Sequence, residues 1–536
     1  MKRPAANPVF GSGVARLDRR DVLWIALAVV VAAAVRFAFY GGMSSPDELN
    51  TLRNGAQWWT GRFELKDALF IHDTRPMMFV PVGWSFAAFG VSEATALLWP
   101  FVASLVVVFF VYLIARRLFG RATAVYAVLC AAFFPLLVFE ATRLLPGVVM
   151  NVLIALCALF FVVSEETERR RRVWLAASGA AYGAIQTAGE LGIVLGLLFV
   201  AAVIVWRKHG LWSYWPAVAG FGAVTAVFLL YQWAETGNPL FKWDLSRYVY
   251  AQLKAVSPHQ PLYYTKLMLA PFAGGGGVFY LAGVGGLAAL LGKRRDALFL
   301  ALWMALTWAY LDFGSLSLTE YRPLSKEVRY FSVVSVPAVI LAGYAIAWLR
   351  GAAGARFGKR AGGAAVAALC TMVALVSIRT LHVERAPLRA QQAKIRIVRD
   401  QVRRYQGKPV YVTHWFWNTE IGFFMRFEKD YFPSGYDPYH AVRLASADTA
   451  SLNRYVQTLE PGKPIGPGLL LHDERLFAAS QGESESWSVG RGEIPAVLAR
   501  IPAEWRLIER VNLSDRYAAA LYEVPEGALW PASEKP

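Results

Sequence analysis

Residues 19–59 read RRDVLWIALAVVVAAAVRFAFYGGMSSPDELNTLRNGAQWW. The run 22–40 carries a single charge, Arg36 near its end. As a helix it is long enough to cross a hydrocarbon core of about 30 Å. Arginines precede it, and the acidic doublet Asp47-Glu48 follows it. Basic flanks stay in the cytoplasm, so this span exits outward and delivers the doublet to the outer face.

The same reading extends along the chain. Further apolar stretches at 95–115, 122–139, 147–163, 173–188, 191–206, 215–234, 271–291, 297–311, 330–349 and 361–378 bring the total to about eleven transmembrane helices. The links between them alternate. Those assigned to the inside hold about twenty Arg and Lys against six acids, and no span needs to be reversed. With 56% hydrophobic residues and a mean hydropathy of +0.38, the expected fold class is an α-helical polytopic membrane protein. Residues 1–21 form a cytoplasmic segment and 22–378 the membrane domain, which includes a first outer segment at 41–94. Within that segment 46–61 reads as a short helix lying on the membrane surface with Trp58 and Trp59 as anchors. Residues 77–90 read as an apolar piece broken by Pro81 and Gly83.

Composition changes after residue 378. Residues 379–536 are polar, with Pro, Gly and charges throughout, and predict a small extracytoplasmic α/β domain. Ile395, Val398, Val402 and Tyr405 follow a helical spacing. KPVYVTHW (408–415) and GPGLLLHD (466–473) read as buried strands, and 504–525 as two strands around a turn at 512–515.

The formal charge of +17 falls largely in the short inner links, where it sets topology and meets anionic headgroups, so nucleic acid is not an expected partner. The three cysteines, Cys130, Cys157 and Cys370, lie inside expected spans, and the outer domain has none to form disulfides. No small-residue cleavage site ends the first apolar run, which therefore reads as a retained span. The seven histidines show no metal-ligand spacing.

Charged residues that could do chemistry gather on the outer side. Asp47 and Glu48 stand where the chain leaves the bilayer, and a carboxylate there suits a general base for a hydroxyl. Pro-Asp-Glu is equally an ordinary helix start, since carboxylates favour that end, and the two roles are compatible. Arg75, before Pro76, and Arg329, beside Tyr330, are fixed cations suited to a phosphate; interfacial arginines also snorkel to headgroups without any further role. Glu320, Arg322, Lys326 and Glu327 crowd the loop before Arg329, where local ion pairs would contribute little. Glu140, Arg143 and Glu190 lie at outer span ends, and interfacial carboxylates are weaker functional candidates than intramembrane ones.

Several pieces recur in a fixed order: DE after span one, Arg-Pro at 75–76, ARRLFG (115–120) closing span two, LLP (144–146) opening span four, TGNPL (236–240) after span seven, and RYFSVVSVPAVILAG (329–343) in span ten. Together they resemble the GT-C glycosyltransferases, specifically the bacterial group similar to protein O-mannosyltransferases and to the lipid A aminoarabinose transferase. The likeness covers about 22–349. It implies a GT-C-like membrane domain and an enzyme of the cell (inner or plasma) membrane. That enzyme would move a hexosyl or pentosyl group from a polyprenyl-phosphate donor to a hydroxyl of a cell-envelope acceptor (lipid, polysaccharide or protein) outside the membrane, with inversion. By resemblance Asp47 is the base with Glu48 beside it. Arg75, Arg329 and Arg53 hold the phosphate, and Glu190, Tyr330, Arg322 and Glu140 are secondary substrate contacts. The sequence departs from the usual pattern at Met77, Gly147, the Ala188-Gly189 before Glu190, and after the doublet, where Arg53 substitutes for an earlier basic or aromatic residue. No cofactor is required by any motif; the resemblance leaves use of a divalent cation open.

Two other functions share the topology: a transporter or flippase of lipid-linked glycans, and an oligosaccharide ligase or polymerase. A transporter favours paired halves and midplane charges, whereas here repeats are not evident and the charges cluster at one face. In a background lacking the three native cysteines, Asp47→Cys is expected to react with a membrane-impermeant maleimide added outside intact cells. Labelling only after permeabilisation would reverse the topology.

Overall fold

The protein is described from a computed structural model. It describes residues 17–404 except 44–45, 69–70, 207–208, 254–261, 271–274, 316–320, 322 and 325, and then 410–412, 456–458, 466–474, 478, 501–513 and 516–528. Sixteen α-helices occur among the described residues. The first eight are α1 Arg19–Ala38, α2 Pro46–Trp59, α3 Pro76–Phe89, α4 Glu93–Phe119, α5 Arg121–Phe133, α6 Pro135–Ala141, α7 Pro146–Glu166 and α8 Arg171–Ile185. The others are α9 Gly196–Trp206, α10 Trp215–Thr236, α11 Phe241–Leu253, α12 Tyr263–Leu269, α13 Val278–Gly292, α14 Arg295–Phe313, α15 Ser335–Phe357 and α16 Lys359–Arg404. Among the described residues seven helical segments are long and apolar enough to cross a membrane, and eight if α5 and α6, bent by 57° at Phe134, are taken as one span. α3, α9 with its preceding turn, and α13 are apolar but shorter.

The chain divides into two compact units. One comprises Met1–Tyr40, Glu64–Met78 and Leu97–Val383; the other Gly41–Phe63, Phe79–Ala96 and Glu384–Pro536. In the first, α8 packs on α7 and α10, α15 on α5 and α13, and α14 on α9. Small residues set the closest approaches. A Cβ on Gly179 of α8 would lie 1.8 Å from the Ala217 carbonyl oxygen of α10, and one on Gly220 would lie 2.0 Å from that of Ala176. Apolar helices gain little from hydrophobicity in lipid, so such close backbone packing is what joins them.

Two buried charges show why charge is tolerated in α1. Arg36, fully buried, donates from Nε to Ser104 Oγ (2.7 Å) and from Nη1 to the Ala32 and Ala132 carbonyls (3.1 and 3.3 Å). The Ala132 carbonyl belongs to the last turn of α5, where Pro135 prevents the ladder from continuing. Arg36 thus caps a broken helix whose C-terminal end favours a cation. At the other end of α1, Asp21 accepts from Tyr112 Oη (2.7 Å), Arg121 Nε (2.7 Å) and Arg116 Nε (3.3 Å), and completes a capping box with Asp18. Arg117 pairs with Glu166, and Arg171 with Glu165 at 3.2 Å. Several basic residues of these links are therefore held by carboxylates.

In the second unit α2 and α3 cross at glycines. A Cβ on Gly55 would meet Val82 Cγ1 at 2.9 Å, and one on Gly83 would meet Trp58 Cε3 at 2.8 Å. Trp58 accordingly packs on α3, edge-on to Trp84 with centroids 6.2 Å apart. The expected break at 81–83 is absent. Pro81 lies inside α3 and removes a donor for the Met77 carbonyl, and the Trp99 indole N–H satisfies that carbonyl instead at 3.0 Å.

Among the described residues five strands form one mixed sheet: β1 Val410–Val412, β2 Val456–Thr458, β3 Gly468–Asp473, β4 Arg506–Asn512 and β5 Ala518–Val524, in the order β2-β1-β3-β5-β4. β1 runs parallel to β2 and β3, and β5 antiparallel to β3 and β4. The all-buried β3 is central, as its run of leucines leads one to expect. α16 continues through the composition change at residue 378 without a break. Gly179→Ala is expected to lower the stability of the purified protein by about 1–3 kcal/mol through overpacking. Gly222→Ala on α10, where a Cβ meets nothing within 4 Å, serves as the neutral or slightly stabilising control. Thermal unfolding in detergent reads both.

Candidate active site

The first unit contains a buried charge cluster built from three separated segments. Arg75 precedes Pro76, the first residue of α3, and follows the 3-10 turn Ile71–Thr74. Its backbone is stitched to the chain after α8: the Met77 N–H donates to the Thr187 carbonyl at 3.3 Å. Three residues on stands Glu190, opening the turn Glu190–Leu195. The guanidinium grips its carboxylate with two donors, Nε to Oε1 at 3.3 Å and Nη2 to Oε2 at 2.6 Å. Its Nη1 donates to His72 Nδ1 at 2.8 Å. A guanidinium only donates, so Nδ1 is an acceptor and the neutral His72 ring carries its proton on Nε2.

The third segment supplies Lys242, which no sequence motif singles out. TGNPL ends α10 and starts α11. Gly237 takes φ 72° at the C-cap, Thr236 Oγ1 accepts from the Asn238 N–H (3.1 Å), and Asn238 Oδ1 accepts from the Leu240 N–H (2.9 Å). The Lys242 N–H donates to the buried Gln232 Oε1 at 2.7 Å. The motif thus turns α11 so that the Lys242 ammonium, 2% exposed, lies 3.1 Å from Glu190 Oε1 and also donates to the Gln186 carbonyl. Burial pushes the Lys242 ammonium below its ordinary value, and Glu190 works against that shift. One carboxylate between two cations at low exposure is a set in which removal of the anion leaves two charges uncompensated.

The second unit holds the acidic doublet. Asp47 and Glu48 occupy the first turn of α2, after Pro46, so the helix-start reading holds. Asp47 is half-buried, while Glu48 is fully buried. The buried side of α2 is polar as well as apolar: Glu48, Thr51 and Asn54 lie with Leu52, Gly55 and Ala56. A helix that merely packs would present apolar residues there. Arg53 is half-buried on the same helix.

Arg329 and Tyr330 belong to the first unit, at the 3-10 turn Val328–Val334. Arg329 Nε pairs with Glu327 Oε2 at 2.5 Å, and its guanidinium lies 5.3 Å from the Tyr330 ring centroid. The approach to this turn is fixed by Asp312, fully buried in the last turn of α14. Its carboxylate accepts from the Tyr264 and Thr265 N–H groups (2.9 and 3.0 Å), Thr265 Oγ1 (2.6 Å) and Trp308 Nε1 (3.0 Å), capping α12 from another helix. Lys326 donates to the Asp312 carbonyl at 3.0 Å, and Tyr264 Oη to the Glu327 carbonyl at 3.1 Å. Asp312 and Lys326 carry no motif, so only the structure shows that they set the position of Arg329. Glu140 is buried at the end of α6. Arg322 lies outside the described residues. The structure therefore joins Arg75 to Glu190 and adds His72 and Lys242. Arg329 pairs with Glu327 and stacks with Tyr330. Among the described residues no three His, Cys, Asp or Glu side chains gather as metal ligands.

Glu190→Gln is expected to cost about 3–5 kcal/mol, because Arg75 and Lys242 lose their shared anion. Lys242→Met should cost less, since the two-donor Arg75–Glu190 pair survives. Equal melting-temperature losses for the two variants would contradict a cluster centred on Glu190.

Residues 73–233 match the family model described as dolichyl-phosphate-mannose-protein mannosyltransferase. No curated protein matches the chain. In fold, the chain is similar to the crystal structure of ArnT from Cupriavidus metallidurans bound to undecaprenyl phosphate. The TM-score is 0.60 at 16% identity, covering 94% of this chain and 97% of that one. The apo structure of the same protein gives a TM-score of 0.60 at 16% identity over 94% of this chain and 98% of that one. The family-model match falls within residues 22–349, the stretch that carries the motif resemblance, and the fold is shared with ArnT along nearly the whole chain.

Proposed function

We propose that this protein is a glycosyltransferase of the cell membrane that moves a sugar from a polyprenyl-phosphate donor to a hydroxyl of a cell-envelope acceptor on the outer face. The observation that carries the reading is the fixed, buried Arg75–Glu190–Lys242 cluster in a fold shared with a protein crystallised with undecaprenyl phosphate. A phosphate on a lipid is a stable anion before and after it leaves, so fixed cations can hold it through the reaction and no nucleotide-binding domain is needed. Arg75 and Arg329 are the proposed phosphate contacts, with Arg53 as a third.

Asp47 is the proposed general base, with Glu48 behind it. It takes the proton of the acceptor hydroxyl as that oxygen attacks the anomeric carbon from the side opposite the phosphate. The new C–O bond forms as the bond from carbon to phosphate oxygen breaks. The electron pair leaves with the lipid phosphate, and the anomeric centre inverts. Base catalysis of this kind supplies about 10²–10⁴-fold. Glu190 acts here by fixing Arg75 and Lys242, and Tyr330 by stacking with Arg329.

Purified protein supplied with a synthetic polyprenyl-phosphate sugar tests the assignment. Asp47→Asn is expected to lose at least about 100-fold in transfer while still binding the donor. Turnover of that variant at the wild-type rate would remove Asp47 from catalysis. Movement of the intact lipid-linked sugar across vesicles without transfer would favour the transporter reading instead.

A further inference from the structure

A second polar group lies against the first turn of α7. Gly147 is in the first turn of that helix, and a Cβ placed on it would lie 1.7 Å from Glu140 Oε2, 2.3 Å from Cδ and 2.7 Å from Oε1. The carboxylate of α6 therefore fills the space that a side chain at 147 would need. One helical turn further on is Asn151, 0% exposed, and neither its Nδ2 nor its Oδ1 has a hydrogen-bond partner among the described residues. Positions four apart share one face of a helix. Glu140 and Asn151 thus border the same strip of α7. The turn Val328–Val334 packs on both α6 and α7 and carries Ser332, which with Ser335 is buried and has no partner for its hydroxyl among the described residues.

The strip adjoins the charge cluster. A Cβ on Gly189, next to Glu190, would lie 2.7 Å from Met150 Sδ, so the turn of α7 that carries Asn151 touches the segment that carries Glu190. A buried carboxamide without partners is unfavourable and calls for a group that both donates and accepts. Glu140 as a carboxylate accepts and repels anions. Hydroxyl groups meet both demands; a phosphate does not.

We propose that Glu140 and Asn151, with Gly147 as the gap that admits the carboxylate, form a subsite for the hydroxyl groups of the sugar carried by the donor. The proposal rests on the donor reading above and adds a sugar-binding side to the phosphate-binding side. The full-length protein in nanodiscs is titrated with undecaprenyl phosphate and with the same lipid carrying one hexose or one pentose.

The wild type is expected to bind a glycosylated lipid more tightly than the bare one. Asn151→Ala and Glu140→Gln should each weaken that glycosylated lipid about tenfold while leaving the bare lipid within about twofold, which also reports that the variants are folded. Gly147→Ala, which displaces the carboxylate, should follow Glu140→Gln. Unchanged binding of glycosylated lipid in the variants, equal weakening of both lipids, or a wild type that binds all forms equally would overturn the subsite. A wild type that binds none of the lipids would overturn the donor reading, and the subsite with it.

Discussion

The carboxylate of Glu190 holds together three stretches that the chain keeps far apart. It ties the approach to α3 through Arg75 and the start of α11 through Lys242 to the turn after α8. Each of those stretches lies outside the long apolar helices, where packing alone specifies position least. A two-donor grip by a planar guanidinium fixes both distance and orientation, which a lysine pair does not. The surrounding protein supports the tie with ordinary devices: a left-handed glycine and an Asn turn at 237–238, a backbone hydrogen bond from Met77 to Thr187, and an indole that satisfies the carbonyl released by Pro81.

Other buried charges of the first unit are likewise held by fixed partners. Asp21 gathers Tyr112, Arg116 and Arg121, and thereby fastens the start of α1 to the junction of α4 and α5. Basic residues flanking these spans thus serve as structural partners. Arg36 answers a third need, the open carbonyls of a helix interrupted at Phe134. In each case a charge inside an apolar setting has a named neighbour, as the cost of leaving it without one requires.

The helical membrane class and the C-terminal strands were legible because they rest on local signals. Runs of apolar residues announce helices, GLLLHD announces a buried strand, and a Pro-Asp-Glu announces a helix start. Long-range partnership was not legible. Lys242 and Asp312 each act on residues tens of positions away, and no pattern around either marks it. Pro81 misled for a related reason: a proline breaks a helix unless something else satisfies the stranded carbonyl, and Trp99 does so from 22 positions away. Glu190 and Arg75 were found as separate candidates; that they bond to each other is a fact of the fold.

The Glu140 carboxylate lying over Gly147 makes two positions compete for a single volume. A carboxylate can reach that place from α6 or from α7, but not from both. Divergence among sequences of this type should therefore be correlated: bulk gained at one position must be given up at the other, and the two residues would change as a unit even though neither stands out when read alone.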